Sequence, residues 1–135
     1  MKANELMIGD WVDLSDEANE TIPCKVVGIM PEELYEIQPN DTACDIVGYD
    51  MVRPIPLTAE ILEKNGFIHS PNKWDLKNKD KFYPYEIHLE DEGHFLYCEI
   101  RIYNVFIQNK ICDVHELQHA LRLCGLNDLA DNFKI

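Results

Sequence analysis

Two stretches of alternating apolar and polar or aromatic residues, joined by a turn, constrain the fold of this chain most. They cover residues 82–90 and residues 94–103, and the acidic residues 90–92 followed by Gly93 between them are typical of a hairpin turn. Successive side chains of a strand point to opposite faces, so the alternation places the apolar residues of each stretch on one face. Half-buried antiparallel strands show this pattern. The sequence therefore predicts an antiparallel sheet in the second half of the chain.

A first helix is predicted before this sheet. Residues 54–57 read P-I-P-L, which is typical of a stiff linker. Thr58 can cap a helix over residues 59–65, and Gly66 can end it. The apolar side of this helix is supplied by Ile61 and Leu62.

A second helix is predicted after the sheet, over roughly residues 114–123. Asp113 is a suitable N-cap, Glu116 three residues later completes a pattern that resembles a capping box, and Gly125 ends the helix. At about 100° per residue, the apolar residues gather on one face. These residues are Val114, Leu117, Ala120, Leu121 and Cys124. The opposite face is predicted to carry His115, Gln118, His119 and Arg122.

The first half of the chain contains short β-rich segments separated by Gly, Pro, Asn and Asp. This spacing predicts a compact antiparallel meander or a partly open, SH3-like small barrel. Trp11 in the opening I-G-D-W-V is either a core residue or a stacking platform, and the core interpretation is favoured because aromatic rings mostly serve packing. The overall prediction is an α+β protein with an SH3-like β subdomain over residues 1–56. An α-β-β-β-α subdomain follows over residues 57–135, with two flanking helices, and the two subdomains are expected to pack together as one unit.

The charge is strongly negative and unevenly distributed. The chain has a formal net charge of -13, and residues 1–57 hold 12 acidic and 3 basic residues, so their net charge is 3 − 12 = −9. An acidic surface repels phosphate, which makes direct nucleic-acid binding an unfavourable interpretation. The same charge suits an acidic mimic of DNA, of the kind that occupies DNA-binding enzymes.

Cysteine usage and hydropathy indicate the compartment. The five cysteines are an odd number and contain no C-x-x-C pair, which favours reduced, partly buried thiols over disulfides or a zinc knuckle. No apolar run approaches the roughly 20 residues of a membrane helix. The first ten residues lack the apolar region of a signal peptide. The prediction is a cytoplasmic protein with no membrane association.

Residues 115–119 read H-E-L-Q-H, which matches the H-E-x-x-H zinc motif of many metalloproteases. Residues four apart on a helix lie on the same face, so His115 and His119 can coordinate one Zn²⁺. Glu116 would then act as general base toward the metal-bound water. A zinc-dependent hydrolase is therefore one candidate function, with zinc as its cofactor.

A third zinc ligand is not evident from the sequence. The longer H-E-x-x-H-x-x-G-x-x-H form requires glycine and histidine where this chain has Arg122 and Gly125. The remaining candidates are Asp128 and Asp131 downstream and His88 in the predicted sheet. Three fixed positions make a weak pattern, so an ordinary surface helix with exposed histidines is the favoured interpretation.

Three motifs in order resemble a family of small uncharacterised proteins from Bacteroidetes-type bacteria and their phage-like or mobile elements. They are M-K-A-N-E-L-x-I-G-D-W-V at the start, P-I-P-L-T-x-E-x-L-x-x-x-G-F in the middle, and R-I-Y…V-H-E-L-Q-H-A-L-R-L-C-G near the end. The resemblance spans nearly the whole chain. It implies no established activity, and it implies that the V-H-x-L-Q core of the last motif is a structural or docking signature.

The favoured function is a non-enzymatic accessory or protein-interaction module that needs no cofactor and binds another protein. No complete catalytic constellation is found in the sequence, and two surfaces suit a partner: a barrel mouth and the polar face of the last helix. The candidate interaction residues are Trp11, Tyr49, His115, Gln118, His119 and Arg122. The zinc hydrolase and the acidic DNA mimic or anti-restriction protein remain the alternatives.

Overall fold

The computed structural model describes residues 1, 5–15, 21–39, 42–78, 82, 84–103 and 105–135. Residues 2–4 of the first motif and residue 83 of the expected first hairpin strand lie outside this description. Two compact units are present. One comprises Met1–Pro56, Asp113–His115 and Ile135, and the other comprises Leu57–Cys112 and Glu116–Lys134.

The first unit contains a curled, five-stranded antiparallel sheet with the order β4-β3-β2-β1-β5. Its strands are β1 (Trp11–Ser15), β2 (Thr21–Met30), β3 (Leu34–Pro39), β4 (Asp45–Gly48) and β5 (Val52–Arg53), with a short 3₁₀ turn at Tyr49–Met51. This half-barrel stands where a small barrel or meander was expected. Its buried cluster consists of Leu6, Val12, Cys24, Val26, Tyr35, Ile37 and Val52.

The turn before β1 is fixed by a buried carboxylate. Asp10 accepts a hydrogen bond from the backbone N–H of Met7 (2.8 Å), and its own N–H donates to the Met7 carbonyl (3.1 Å). Gly9 occupies the left-handed region at φ 93°, which favours glycine. A turn at Gly9 and Asp10 therefore precedes the first strand of the half-barrel.

The second unit contains a five-stranded antiparallel sheet with the order β10-β9-β8-β7-β6. The strands are β6 (Ile68–Ser70), β7 (Lys73–Lys77), β8 (Tyr85–Asp91), β9 (Leu96–Ile102) and β10 (Val105–Ile111). In the part of the chain that the structure describes, three helices accompany the two sheets: α1 (Ala59–Lys64), α2 (Val114–Leu123) and α3 (Asn127–Asp131). The α+β prediction with antiparallel sheets is confirmed, but five strands replace the three expected after residue 57. The short helix α3 follows α2, and no element was predicted from the sequence for these residues.

The alternation that predicted the hairpin is reproduced in burial. Ile87 and Leu89 of β8 and Cys98 and Ile100 of β9 are fully buried, and their sequence neighbours point to the other face. The buried apolar residues of the helices are Ile61, Leu62, Val114, Leu117, Ala120, Leu121 and Ala130. None of the described helices has the length and apolar character needed to cross a membrane.

The helix ends follow the expected chemistry. The Thr58 hydroxyl accepts from the N–H of Ile61 (3.3 Å) at the start of α1. After the last turn, the Asn65 side chain donates to the carbonyl of Lys134 (2.7 Å) and accepts from its N–H (2.8 Å). This pair of bonds ties the C-terminal segment to the end of α1.

Candidate functional site

Glu116 of the H-E-L-Q-H segment has a structural partner at the start of α2. Its carboxylate accepts a hydrogen bond of 2.6 Å from the backbone N–H of Cys112, one residue before the N-cap residue whose N–H donates in a capping box. An acidic side chain in the first turn also complements the helix dipole. This hydrogen bond gives Glu116 a structural role at the start of α2.

The expectation that His115 and Gln118 lie on an exposed polar face is wrong. Gln118 is fully buried, and its amide donates a hydrogen bond of 3.0 Å to the carbonyl of Ala130 in α3. His115 is only 7% exposed. The polarity of both residues predicted exposure to solvent, whereas the short helix α3 gives Gln118 a buried acceptor.

The remaining polar residues of α2 are only partly accessible. His119 is half-buried, and Arg122 donates to a carboxylate oxygen of Asp131 at 3.4 Å. The Arg122 side chain is 14% exposed, against 60% for that of Asp131. Of the two carboxylates considered as third zinc ligands, Asp131 is thus engaged with Arg122. Whether this helix contacts a partner stays a prediction.

The described residues do not add further metal ligands to the histidines of the H-E-L-Q-H segment. Among the described residues, three or more His, Cys, Asp or Glu side chains do not come together in a group that could hold a metal ion. A zinc hydrolase needs at least three protein ligands. His88, the remaining candidate, instead contacts two carboxylates in the second sheet.

We expect protein purified without chelator or a histidine tag to contain no stoichiometric zinc, and EDTA to leave its melting temperature unchanged. The reason is that Glu116 is hydrogen-bonded at the helix start and His115 is buried. Metal analysis and thermal unfolding with and without EDTA measure this. One zinc per chain, lost in a His119→Ala variant, would contradict the expectation.

Trp11 and Tyr49 do not share a barrel mouth. Val12 of β1 is buried in the core cluster, so the adjacent Trp11 points to the outer face of the sheet, where Lys25 lies 5.1 Å above its ring. Tyr49 packs on the core side, with its ring centroid 4.2 Å from that of buried Tyr35. The favoured core interpretation of Trp11 is therefore wrong, since the ring is half-buried on the outer surface.

The outer face of the first sheet carries apolar side chains around a carboxylate. Tyr35 and Ile37 of β3 point inward, so Leu34 and Glu36 point outward. Met30 of β2 is paired with Leu34, and Ile46 of β4 is paired with Glu36. We call this surface the outer patch. It consists of Trp11, Lys25, Met30, Leu34, Glu36 and Ile46.

Two features of β2 and its hairpin shape the outer patch. Gly28 lies opposite Glu36, and a Cβ at position 28 would come 2.9 Å from a carboxylate oxygen and 3.1 Å from the Cβ of Glu36. At the hairpin tip, Glu32 and Glu33 adopt φ values of 65° and 60°, which are uncommon for residues with side chains. The carbonyl of Glu33 accepts from the N–H of Tyr49 (3.1 Å), which holds this tip in place. Exposed carboxylates therefore border the apolar pair Met30 and Leu34.

The outer face of the second sheet carries a second polar cluster, centred on His88. One ring nitrogen contacts a carboxylate oxygen of Asp75 and the other lies 3.2 Å from Glu86. Ionised carboxylates only accept hydrogen bonds, so both contacts are hydrogen bonds when the imidazole carries two protons. The hydrogen bond from His88, with the ammonium of Lys77, lowers the pKa of Glu86.

A shallow cleft of about 270 Å³ lies beside His88. Its polar lining consists of Lys73, His88, Glu90, Tyr97, Glu99 and Arg101. Charges of both signs alternate here across the strands, as in cross-strand pairs that stabilise sheets. The imidazole of His88 bridges β8 to β7 through Asp75 and also contacts Glu86 on its own strand.

The outer patch was not predicted from the sequence, although part of its signal is present. The alternation of β3 around Tyr35 and Ile37 marks Leu34 and Glu36 as outward residues. Which apolar residues of β2 and β4 join them depends on strand register, and the register of β2 shifts between Val26 and Gly28. A bulge of this kind is not readable from a single sequence.

Comparison of the chain with protein-family models, curated proteins and solved structures gave no match. The resemblance to the Bacteroidetes family therefore stays a prediction.

Proposed function

We propose that this protein is a non-enzymatic interaction module whose outer patch binds an apolar, basic segment of another protein. The observation that carries the proposal is the lateral grouping of Met30, Leu34 and Ile46 on a sheet face that the core does not cover. Met30 is 37% exposed and Ile46 is 58% exposed. Apolar side chains that lie together on a surface mark interaction sites more often than isolated ones do.

The negative charge around the outer patch favours a positively charged partner. Glu36 lies within the patch, Glu32 and Glu33 lie at the adjoining hairpin tip, and residues 1–57 carry a net charge of −9. A cationic partner is steered toward such a surface, and an anionic one is repelled. The half-buried ring of Trp11 adds an aromatic anchor of the type enriched at binding hot spots.

A non-enzymatic role is supported by the engagement of the candidate catalytic groups. Glu116 binds the helix start, Gln118 joins α2 to α3, and His88 bridges Asp75 and Glu86. A cytoplasmic location belongs to the same proposal, because all five cysteines are free thiols. The DNA-mimic alternative stays a prediction.

The experiment compares two matched isoleucine substitutions. Immobilised wild-type protein, Ile46→Lys and Ile68→Lys are exposed to host lysate, and captured proteins are quantified by mass spectrometry. Ile68 is 74% exposed on β6 and is not part of the outer patch, so Ile68→Lys makes the same chemical change outside the proposed site. We expect a basic partner that Ile46→Lys loses and Ile68→Lys retains.

The partner is then purified and titrated against each variant. We expect the affinity to fall at least about tenfold for Ile46→Lys, the equivalent of about 1.4 kcal/mol. Binding should also weaken as salt rises, because exposed charges are screened. Capture that is unaffected by Ile46→Lys, or lost equally in both variants, would overturn the proposal.

A further inference from the structure

We propose that β10 is a self-association edge, at which two copies of this chain pair antiparallel and join their second sheets into one. The inference is independent of the outer patch, which lies in the other unit. It rests on the length of β10, its side chains, its backbone directions and its charge.

The edge strands of the two sheets differ sharply in length. β4, β5 and β6 have 4, 2 and 3 residues, whereas β10 has 7. Very short edge strands limit pairing with other chains, and β10 lacks that protection. It also runs in continuous register with β9 from Val105 to Ile111, with no bulge to twist the edge away.

The side chains of β10 offer little to keep another strand away. Val105 and Phe106 are 52% and 48% exposed, and the strand reads V-F-I-Q-N-K-I. Lys110 is its single charged residue, and it lies over the ring of Phe95 with its ammonium 4.8 Å from the centroid. In a chain of net charge −13, this seven-residue segment contains no acidic residue. Two strongly acidic copies can therefore approach here with less repulsion than at a carboxylate-bearing strand.

The hairpin geometry fixes which backbone groups face outward. Ile102 and Val105 are paired and stand three positions apart in the sequence, so they close the hairpin as a hydrogen-bonded pair, and such pairs alternate along the ladder. The N–H and C=O groups of Phe106, Gln108 and Lys110 then point away from β9. In agreement, the N–H of Lys110 turns to the side-chain oxygen of its neighbour Asn109 at 3.1 Å.

A two-fold axis through Gln108 uses all of these groups. Gln108 then faces its own copy, and Phe106 faces Lys110 of the second copy, so three residues of each strand exchange hydrogen bonds. Residues that face each other across two strands have their side chains on the same side of the sheet. Lys110 of each copy therefore lies toward the ring of Phe106 of the other copy. The same patch serves both copies, as an isologous dimer requires.

The test is a charge exchange at position 108, measured by light scattering on a sizing column over a range of concentrations. We expect the wild-type mass to rise from 15.7 kDa toward twice that value, and the rise to strengthen with salt because the copies repel. Gln108→Glu and Gln108→Lys should each remain monomeric, since like charges would meet at the axis. An equimolar mixture of the two variants should recover the dimer.

Two controls keep the test decisive. Ser70→Glu places a carboxylate on β6, the opposite edge of the same sheet, and should dimerise like the wild type. Gln108→Lys places its ammonium opposite Glu99, so it should retain the fold, which circular dichroism checks. A wild-type chain that is monomeric at every concentration would refute the proposal. So would a dimer that survives both single substitutions at position 108, or a mixture that fails to reassociate.

Discussion

Replacing Tyr35 by alanine is expected to lower the free energy of unfolding by about 3–5 kcal/mol. This is a large part of the total free energy of unfolding of a typical domain, about 5–15 kcal/mol. Tyr35 is fully buried in the core cluster of the first unit, and its ring stacks on that of Tyr49. Its hydroxyl donates to the carbonyl of Met1 at 3.0 Å. Urea unfolding followed by circular dichroism measures the loss.

Tyr35→Phe is the matched control for this substitution. It keeps the ring and removes only the hydroxyl, so the expected cost is about 0.5–1.5 kcal/mol. If Tyr35→Ala and Tyr35→Phe destabilised the protein equally, the ring would not hold the half-barrel together, and the account of its core would be wrong.

The difference in stability between wild-type protein and Tyr35→Phe is expected to depend on pH. Burial, with the nearby Tyr49 and carboxylates, raises the pKa of Tyr35 from 10.0 to about 12. The unfolded chain therefore loses the phenolic proton at a lower pH than the folded chain does. The associated stability is fully present below pH 10 and is lost as the pH rises toward 12. Wild-type protein should accordingly lose its advantage over Tyr35→Phe across this interval, and a constant difference would contradict the assignment.

Replacing Gln118 by alanine is expected to have the second largest effect. The Ala130 carbonyl would lose its buried donor, which costs about 1–3 kcal/mol, and the space left by the side chain adds to that loss. Gln118→Leu restores most of the volume but not the donor, so it isolates the hydrogen bond. Thermal and urea unfolding of the two variants give both contributions.

Leu123→Ala provides the control on the same helix. Leu123 is 75% exposed, so its removal should change stability by no more than about 0.5 kcal/mol. A Gln118→Ala variant as stable as Leu123→Ala would return Gln118 to the surface role that the sequence predicted. It would also weaken the argument that the H-E-L-Q-H segment is structural.

Local sequence patterns were sufficient to predict the helices and the hairpin in whose segments they occur. Thr58 and Gly66 bounded α1, and α2 runs over Val114–Leu123 as the caps and periodicity predicted. The alternation around Gly93 identified the β8–β9 hairpin and its buried face. These features depend on neighbours a few residues away, and caps, turns and periodicity encode such contacts directly.

The candidate sites were less accessible to sequence reasoning. The pattern H-E-L-Q-H and the polarity of Gln118 indicated a surface, but the acceptor for Gln118 lies twelve positions later, on a helix of five residues. Trp11 was assigned to the core because it is aromatic, whereas the pairing of β1 with β2 turned it outward beside Lys25. Residue type alone does not reveal which face a side chain occupies.

The sequence by itself determined the α+β class, the helix ends, the hairpin and the acidic character of the chain. Only the tertiary structure decided that Met30, Leu34 and Ile46 share the outer patch, that His88 lies between two carboxylates, and that β10 forms a long edge. The physical reason is strand register. A shift of one residue exchanges the two faces of a strand, and register is set by pairing between distant segments rather than by local sequence.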